Sequence, residues 1–446
     1  MKFAEWKYAL GVYLVARIAL SMWAFIITML FPIVVQNLDL FGAPVLAVFD
    51  LASSERYAYS REVDDAVLTF RVGDPGFVND TQTASTWSLQ TGRAVSGKYA
   101  ERALSASPYS IEDIFPYRGI AAEGNMLLSV WQRFDTNWYL AIADRGYGTL
   151  AGDVHFPPLY PALIRLTSLI VPNALLSALL ISNLALIGAL RVYFQCVREQ
   201  FDPTVPQRAV ACLLIFPTAF FLLSAYSESL FLLLSLLSFR AMQRQLWLWA
   251  GMWIFLAILT RLQGVALLVP LAYALWRTRP FTHRGTRFVS AALAMSAILF
   301  YLVVRVLTGA SAVVPVAEAE LRARLALPVE NYWYAVQTFA SGKFVAVDAL
   351  NFVVSALVVI ALGIGWRKLP LLWNLYLLAS VFVLTMRIVE TQPLNSMLRY
   401  VLGLFPWFVL LGIWSRNIWI QRAIVYSSLT LLLYLSAQFV MWGWVG

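Results

Sequence analysis

Residues 216–239 read FPTAFFLLSAYSESLFLLLSLLSF. Two apolar runs flank a polar turn, Tyr226–Ser227–Glu228–Ser229, and each run falls short of the roughly 20 apolar residues of a straight bilayer crossing. A carboxylate beside such runs is costly unless it is paired or covered by protein. The stretch therefore reads as a pair of short spans or a broken helix in a helical membrane protein, with Glu228 at the break.

Composition agrees with this reading. Of 446 residues, 61% are hydrophobic and 13% charged, whereas soluble domains run at roughly 45–50% and about 25%. Aromatic residues make up 15%, including 17 tryptophans, and Trp and Tyr favour the headgroup level. The net charge of +9 reports membrane orientation before anything else, and no nucleic-acid partner is expected. Cys196 and Cys212 sit at apolar segments and suggest neither a disulfide framework nor a metal site. The apolar N-terminal stretch is too long for a signal peptide and lacks a small-residue cleavage site, so it reads as a retained first span.

Working outward, apolar segments lie at 8–31, 174–196, 209–224, 228–242, 246–260, 263–277, 288–307, 348–366, 371–388, 399–414 and 423–444. That is about eleven spans, several of them short. The proline-rich segment 156–172 reads as interfacial or re-entrant. With the N-terminus in the cytoplasm, the cytoplasmic side collects Lys2, Lys7, Arg198, Arg208, Arg240, Arg244, Arg277, Arg279, Arg284, Arg287, Arg367, Lys368, Arg416 and Arg422, against Glu5, Glu199 and Asp202. That bias is the positive-inside pattern. It puts the long loop 32–173, the turn at Glu228 and the turn at Arg261 outside. The loop's polar part, 50–110, reads as a few short strands or an irregular segment.

Ionisable residues in or against spans are few: Arg17, Glu228, Arg261, Arg305, Arg387, Glu390 and Arg399. Most fall near the outer ends of spans. Arg305 and Arg387 can snorkel to the headgroups, whereas Arg17 lies mid-span and asks for a structural partner. The loop also carries WQRFDTNWYLAIADRGYG at 131–148. It predicts about three helical turns ended by Gly146, with Trp138, Leu140, Ala141 and Ile142 on an apolar face at the membrane interface. Asp135 just before that helix suits an N-cap, and a cap also fixes a carboxylate as a general base requires. Asp144 and Arg145 read as a solvated pair.

RFDTNWYLAIADRGYG followed by HFPPLYPALIRL resembles the signature of the PIG-V type mannosyltransferases, in the GT-C superfamily of polytopic glycosyltransferases. The stretch 216–239 resembles that family's Tyr-Ser-Glu-Ser turn. FLAILTRLQGVALLVPL at 255–271 resembles its Thr-Arg turn, and SMLRYVLGLFPWFVLL at 396–411 its C-terminal Arg-Tyr span. Phe134 stands where the family usually has Trp, and His155 where it usually has an apolar residue.

The resemblance implies an all-α polytopic fold of GT-C type. Residues 1–31 form the first transmembrane helix and 32–173 an extracytoplasmic loop with interfacial helices and the catalytic motif. Residues 174–446 form a multi-span bundle. It implies inverting transfer of a mannosyl residue from a polyprenyl-phosphate mannose donor to a glycolipid or glycan acceptor outside the membrane. An inverting displacement from a phosphate leaving group needs one base, and cationic donors where charge develops. Asp135 is the expected base and Glu228 the second carboxylate, orienting the sugar or supporting Asp135. Glu228 with Ser227 also suits helix-start capping. Arg261 and Arg399, with Arg133 behind them, are the expected phosphate ligands. Tyr226, Tyr400 and His155 are candidates for hydrogen bonds to sugar or phosphate, although an exposed loop histidine is the blander reading of His155. No cofactor and no metal are expected, because no ligand-spacing motif is present. The rival classes are a lipid-linked sugar transporter, a non-catalytic partner subunit, and an enzyme transferring to protein.

Overall fold

The computed structural model describes residues 2–40, 42–51, 53–150, 152–278, 284–308, 323–342, 344–389 and 392–445. Arg279 and Glu390 lie outside the described residues. The chain opens with helix α1 (Lys2–Leu30) and nine short strands, β1 (Ile33–Leu40) to β9 (Ala94–Ser96). Short helices α2 (Ile111–Ile114) and α3 (Met126–Ser129) lead into α4 (Asp135–Arg145) and α5 (Leu159–Ser168). Then come α6 (Ala174–Arg198), α7 (Val205–Leu214), α8 (Glu228–Gln243), α9 (Trp247–Thr260), α10 (Leu268–Arg277) and α11 (Arg284–Leu307). After β10 (Ala323–Leu325) follow α12 (Pro328–Ala340), α13 (Ala346–Gly365) and α14 (Leu371–Thr385). Strand β11 (Arg387–Val389) precedes α15 (Met397–Tyr400), α16 (Phe405–Trp414) and α17 (Ile418–Val440).

The protein is mostly helical and polytopic. Among the described residues, five helices are long and apolar enough to cross a membrane, and six if the bent pair Met397–Gly403 and Phe405–Trp414 counts as one span. Other segments that read as spans, such as 246–260 and 371–388, form apolar helices of 10–17 residues. Hydropathy alone does not separate a short buried helix from a crossing one.

The chain divides into two compact units. The first comprises Met1–Leu20, Trp138–Ser436 and Trp444–Gly446; the second comprises Ser21–Asn137 and Ala437–Gly443. The second unit departs from the all-α expectation. Strands β1 to β3 form one antiparallel sheet with β2 (Ala43–Asp50) central, and β6 (Phe70–Val72) to β9 form a four-stranded sheet. The sequence VLAVF at 45–49, ahead of the polar part read as short strands or irregular, makes a continuously buried strand. A central strand covered on both faces loses the period-2 alternation that would announce it. The core gathers Leu46, Val48, Phe70, Val78, Trp87 and Tyr99. Gly97, at φ +90°, closes the β9 turn so tightly that a Cβ there would stand 2.5 Å from the Ser85 Cα, so only glycine fits.

In the first unit, α8 packs between α6 and α9, α9 packs on α11, and α7 packs on α16. Small residues allow close approach, as membrane helix contacts favour. A Cβ at Gly251 of α9 would meet the Ser290 carbonyl oxygen at 2.5 Å, and one at Gly412 of α16 the Ala209 nitrogen of α7 at 2.9 Å. Arg17 of α1 donates from Nη1 to the Leu223 carbonyl at 2.8 Å, and Asn183 of α6 reaches the same oxygen at 3.3 Å. The mid-span arginine thus caps irregular backbone and has a structural partner in the main chain.

Candidate active site

Three helix interruptions build the site in the first unit. After α7, residues 216–227 leave the helix, pass through a 3-10 turn at Ala219–Leu222 and re-enter at Glu228. The turn is tied back by Ser229 Oγ, which donates to the Leu222 carbonyl at 2.6 Å. Helix α9 stops at Arg261, whose backbone is extended (φ −153°, ψ 134°), and a 3-10 segment Leu262–Leu267 follows. The third interruption bends the chain by 86° between α15 and α16. Pro406 at the start of α16 favours a new helix beginning there. Thr218 Oγ1 donates to the Leu398 carbonyl at 2.8 Å and joins the first break to the third. Such irregular backbone is tolerated because protein surrounds it.

Each break contributes one charge. Glu228, 3% exposed, accepts from Arg261 Nη1 at 2.5 Å on Oε1. Arg399 Nε lies 3.0 Å from the same oxygen. Both arginines are also buried. The second carboxylate oxygen, Oε2, is buried with no hydrogen-bond partner among the described residues. Two guanidiniums therefore share one carboxylate oxygen, which leaves the trio one unit positive.

Aromatic rings frame the guanidiniums. Arg399 lies over Phe221, Tyr226 and Tyr400, each 5.4 Å from centroid, and Arg261 lies 5.0 Å from the Tyr400 ring. Cation–π contacts of this kind hold a desolvated guanidinium in place. Tyr226 and Tyr400, expected as hydrogen-bonding groups, thus also serve as stacking platforms. Ser227 occupies the N-cap position of α8 without capping it. Its hydroxyl instead accepts from Arg261 Nη1 at 3.2 Å and lies 2.9 Å from the Tyr139 hydroxyl.

Tyr139 belongs to α4, whose apolar face is covered by protein. Tyr139–Ala143 are all buried, and the Tyr139 ring packs edge-on against Phe156, Tyr160 and Tyr226. A second hydroxyl chain runs from Tyr160 to Ser182 at 2.6 Å, and from Ser182 to the Tyr226 carbonyl at 2.7 Å. Tyr139, Tyr160 and Ser182 were not singled out from sequence, since a hydroxyl inside an apolar run announces nothing until its partner is known.

The second unit holds Asp135 and Arg133. Asp135 is the first residue of α4 rather than the residue before it, and lies in a first turn that favours negative charge. Phe134, at φ +46°, makes the sharp entry. The Asp135 charge is felt by Arg118, which burial holds below the usual arginine range against Asp113, Glu112 and Asp135. Arg133 is 1% exposed and donates to the carbonyls of Val440 (3.1 Å), Ser129 (2.6 Å) and Gln132 (3.1 Å). It lies over the rings of Trp442 and Phe49. Backbone carbonyls and aromatic rings thus engage the guanidinium that the sequence offered as a backing group for the phosphate ligands.

His155 is exposed at the end of a 3-10 turn, with Nδ1 3.1 Å from the Gly152 carbonyl. Its neighbour Asp153 is buried and accepts from the Gly148 and Leu150 amides, which ties it back to the end of the Tyr147–Leu150 segment. Asp144 and Arg145 face each other at 4.0 Å at exposed positions. Among the described residues, no group of three His, Cys, Asp or Glu stands together to hold a metal ion.

Residues 100–315, just under half of the chain, match the family model described as mannosyltransferase (PIG-V). No curated protein and no solved structure matches the chain.

Proposed function

We propose that this chain, a PIG-V type mannosyltransferase by its residues 100–315, takes its mannosyl group from a polyprenyl-phosphate mannose and passes it to a hydroxyl of a glycolipid or glycan outside the membrane. The observation that carries this reading is the buried pairing of Arg261 and Arg399 on a single oxygen of Glu228. A positive excess in a desolvated site fits an anionic group, and guanidiniums match phosphate in geometry.

In the proposed step the acceptor oxygen attacks the anomeric carbon as the bond from that carbon to the phosphate oxygen breaks. The lipid phosphate leaves with the bonding electron pair, and the configuration inverts. Arg261 and Arg399 bind the phosphate and offset the charge that grows on it. Asp135 takes the proton of the acceptor hydroxyl. Glu228 holds the two guanidiniums apart and in register, and keeps its second oxygen for the substrate.

The test is equilibrium binding to the purified protein in nanodiscs. A short polyprenyl phosphate is expected to bind at least ten-fold tighter than the uncharged polyprenol, and Arg399→Ala is expected to remove that preference. Equal affinity for the two lipids would contradict the reading.

A further inference from the structure

Two residues beyond Arg261, Gln263 is 92% buried, and its side-chain carbonyl Oε1 has no hydrogen-bond partner among the described residues. A buried amide carbonyl without a donor is costly and rare in a native protein, and it marks a place where a ligand or an ordered water completes the structure. The setting is specific. A Cβ added at Gly403 would run into the Gln263 Nε2 and would stand 2.7 Å from the Phe231 ring. The Gln263 amide therefore packs against backbone that only glycine leaves open. Phe231 lies one helical turn beyond Glu228 on α8, so the two share a face. Gly403 follows Arg399 by one turn. On the opposite side, Gly264 is pressed onto α9, where a Cβ would meet the Ile258 nitrogen at 2.8 Å, which fixes the 3-10 segment that presents Gln263.

The three interruptions thus carry two kinds of group. Arg261 and Arg399 are donors only. Glu228 Oε2 and Gln263 Oε1 are acceptors, both buried and both without a donor among the described residues. A phosphate has no proton to offer at neutral pH and satisfies only the first kind. The second kind calls for a ligand bearing hydroxyl groups. We propose that Gln263 is a specificity-determining residue that accepts a hydrogen bond from a hydroxyl of the donor's sugar, beside Glu228 Oε2. The inference rests on the glycosyl-phosphate reading above and adds to it the group that reads the sugar.

The experiment compares two probes on the full-length protein in nanodiscs: a short polyprenyl-phosphate mannose and the same polyprenyl phosphate without sugar. The ratio of their affinities isolates sugar recognition. Gln263→Met keeps the volume and removes the carbonyl, and is expected to cut that ratio about 10-fold while leaving the affinity for bare lipid phosphate unchanged. Gln263→Asn keeps a carbonyl one methylene short; it is expected to fall between, and it serves if the Met variant does not fold. An unchanged ratio, or a variant that weakens both probes alike, would overturn the assignment and reduce Gln263 to packing. A wild type that binds lipid phosphate but does not distinguish the two probes would also overturn it. A wild type that binds neither would instead sink the glycosyl-phosphate reading on which it rests.

Discussion

The Nε of Arg399 lies 3.0 Å from the Oε1 of Glu228, the oxygen on which Arg261 also donates. Pairs of this kind bind their members tightly to one another without adding much to stability, yet removing one partner strands the rest. Glu228→Ala leaves two buried guanidiniums facing each other. The expected loss is about 3–5 kcal/mol of stability, read as a lowered unfolding midpoint in detergent. Glu228→Gln, which keeps a carbonyl toward the arginines, is expected to lose less. A Glu228→Ala variant as stable as wild type would show that the trio is solvated.

Arg399→Lys is not a conservative change here. An ammonium is a compact point charge and cannot spread over Phe221, Tyr226 and Tyr400 while reaching Glu228. The expected outcome is a rise of about 10-fold or more in the dissociation constant for polyprenyl phosphate. Arg399→Lys with wild-type affinity would remove Arg399 from the phosphate site.

Arg133 should behave differently. Its guanidinium is engaged by three backbone carbonyls and two rings of the second unit. Arg133→Lys is expected to lower the unfolding midpoint by a few degrees, as a loss of about 1–2 kcal/mol would, with donor affinity unchanged in the folded fraction. A fall in affinity without a fall in stability would restore Arg133 as a ligand.

Asp80 gives a pH dependence with a definite sign. Burial alone would raise its carboxyl, but hydrogen bonds from the Thr83 amide and hydroxyl, the Trp87 indole and the Ser85 amide outweigh it and hold the group below the usual carboxylate range. A carboxyl depressed in the folded state contributes stability that is present above about pH 4 and lost as pH falls through the lowered native value. Hydrogen-exchange protection of residues 77–88 is therefore expected to hold from pH 7 to about 5 and to fall below about 4. Asp80→Asn, which turns donors toward donors, should lose protection at every pH. Equal protection in the two proteins at pH 6 would contradict this.

The helical membrane class was legible in composition, and the broken helices were legible where a charge interrupts an apolar run too short to cross. Glu228, Arg261 and Arg399 stood out for the same reason: an ionisable group in hydrocarbon is expensive, so its presence is informative by itself. The β-rich second unit was not legible in detail, because its strands are two to eight residues long and the central one is buried on both faces. Tyr139, Ser227 and Gln263 carry no such signal. Uncharged polar side chains are common in membrane helices, and only the pairing of Tyr139 with Ser227, or the empty carbonyl of Gln263, separates them from ordinary packing. Arg133 stood out by its motif position, but the carbonyls of Ser129, Gln132 and Val440 that engage it are not legible in sequence.

The central claim is that this chain transfers mannose from a lipid phosphate with Asp135 as the base. The most direct measurement is release of polyprenyl phosphate and labelling of acceptor from radiolabelled polyprenyl-phosphate mannose, in membranes carrying wild type or Asp135→Asn. The account predicts transfer by wild type, a loss of about 10²–10⁴-fold in the variant, and unchanged donor affinity. Full transfer by Asp135→Asn would contradict it.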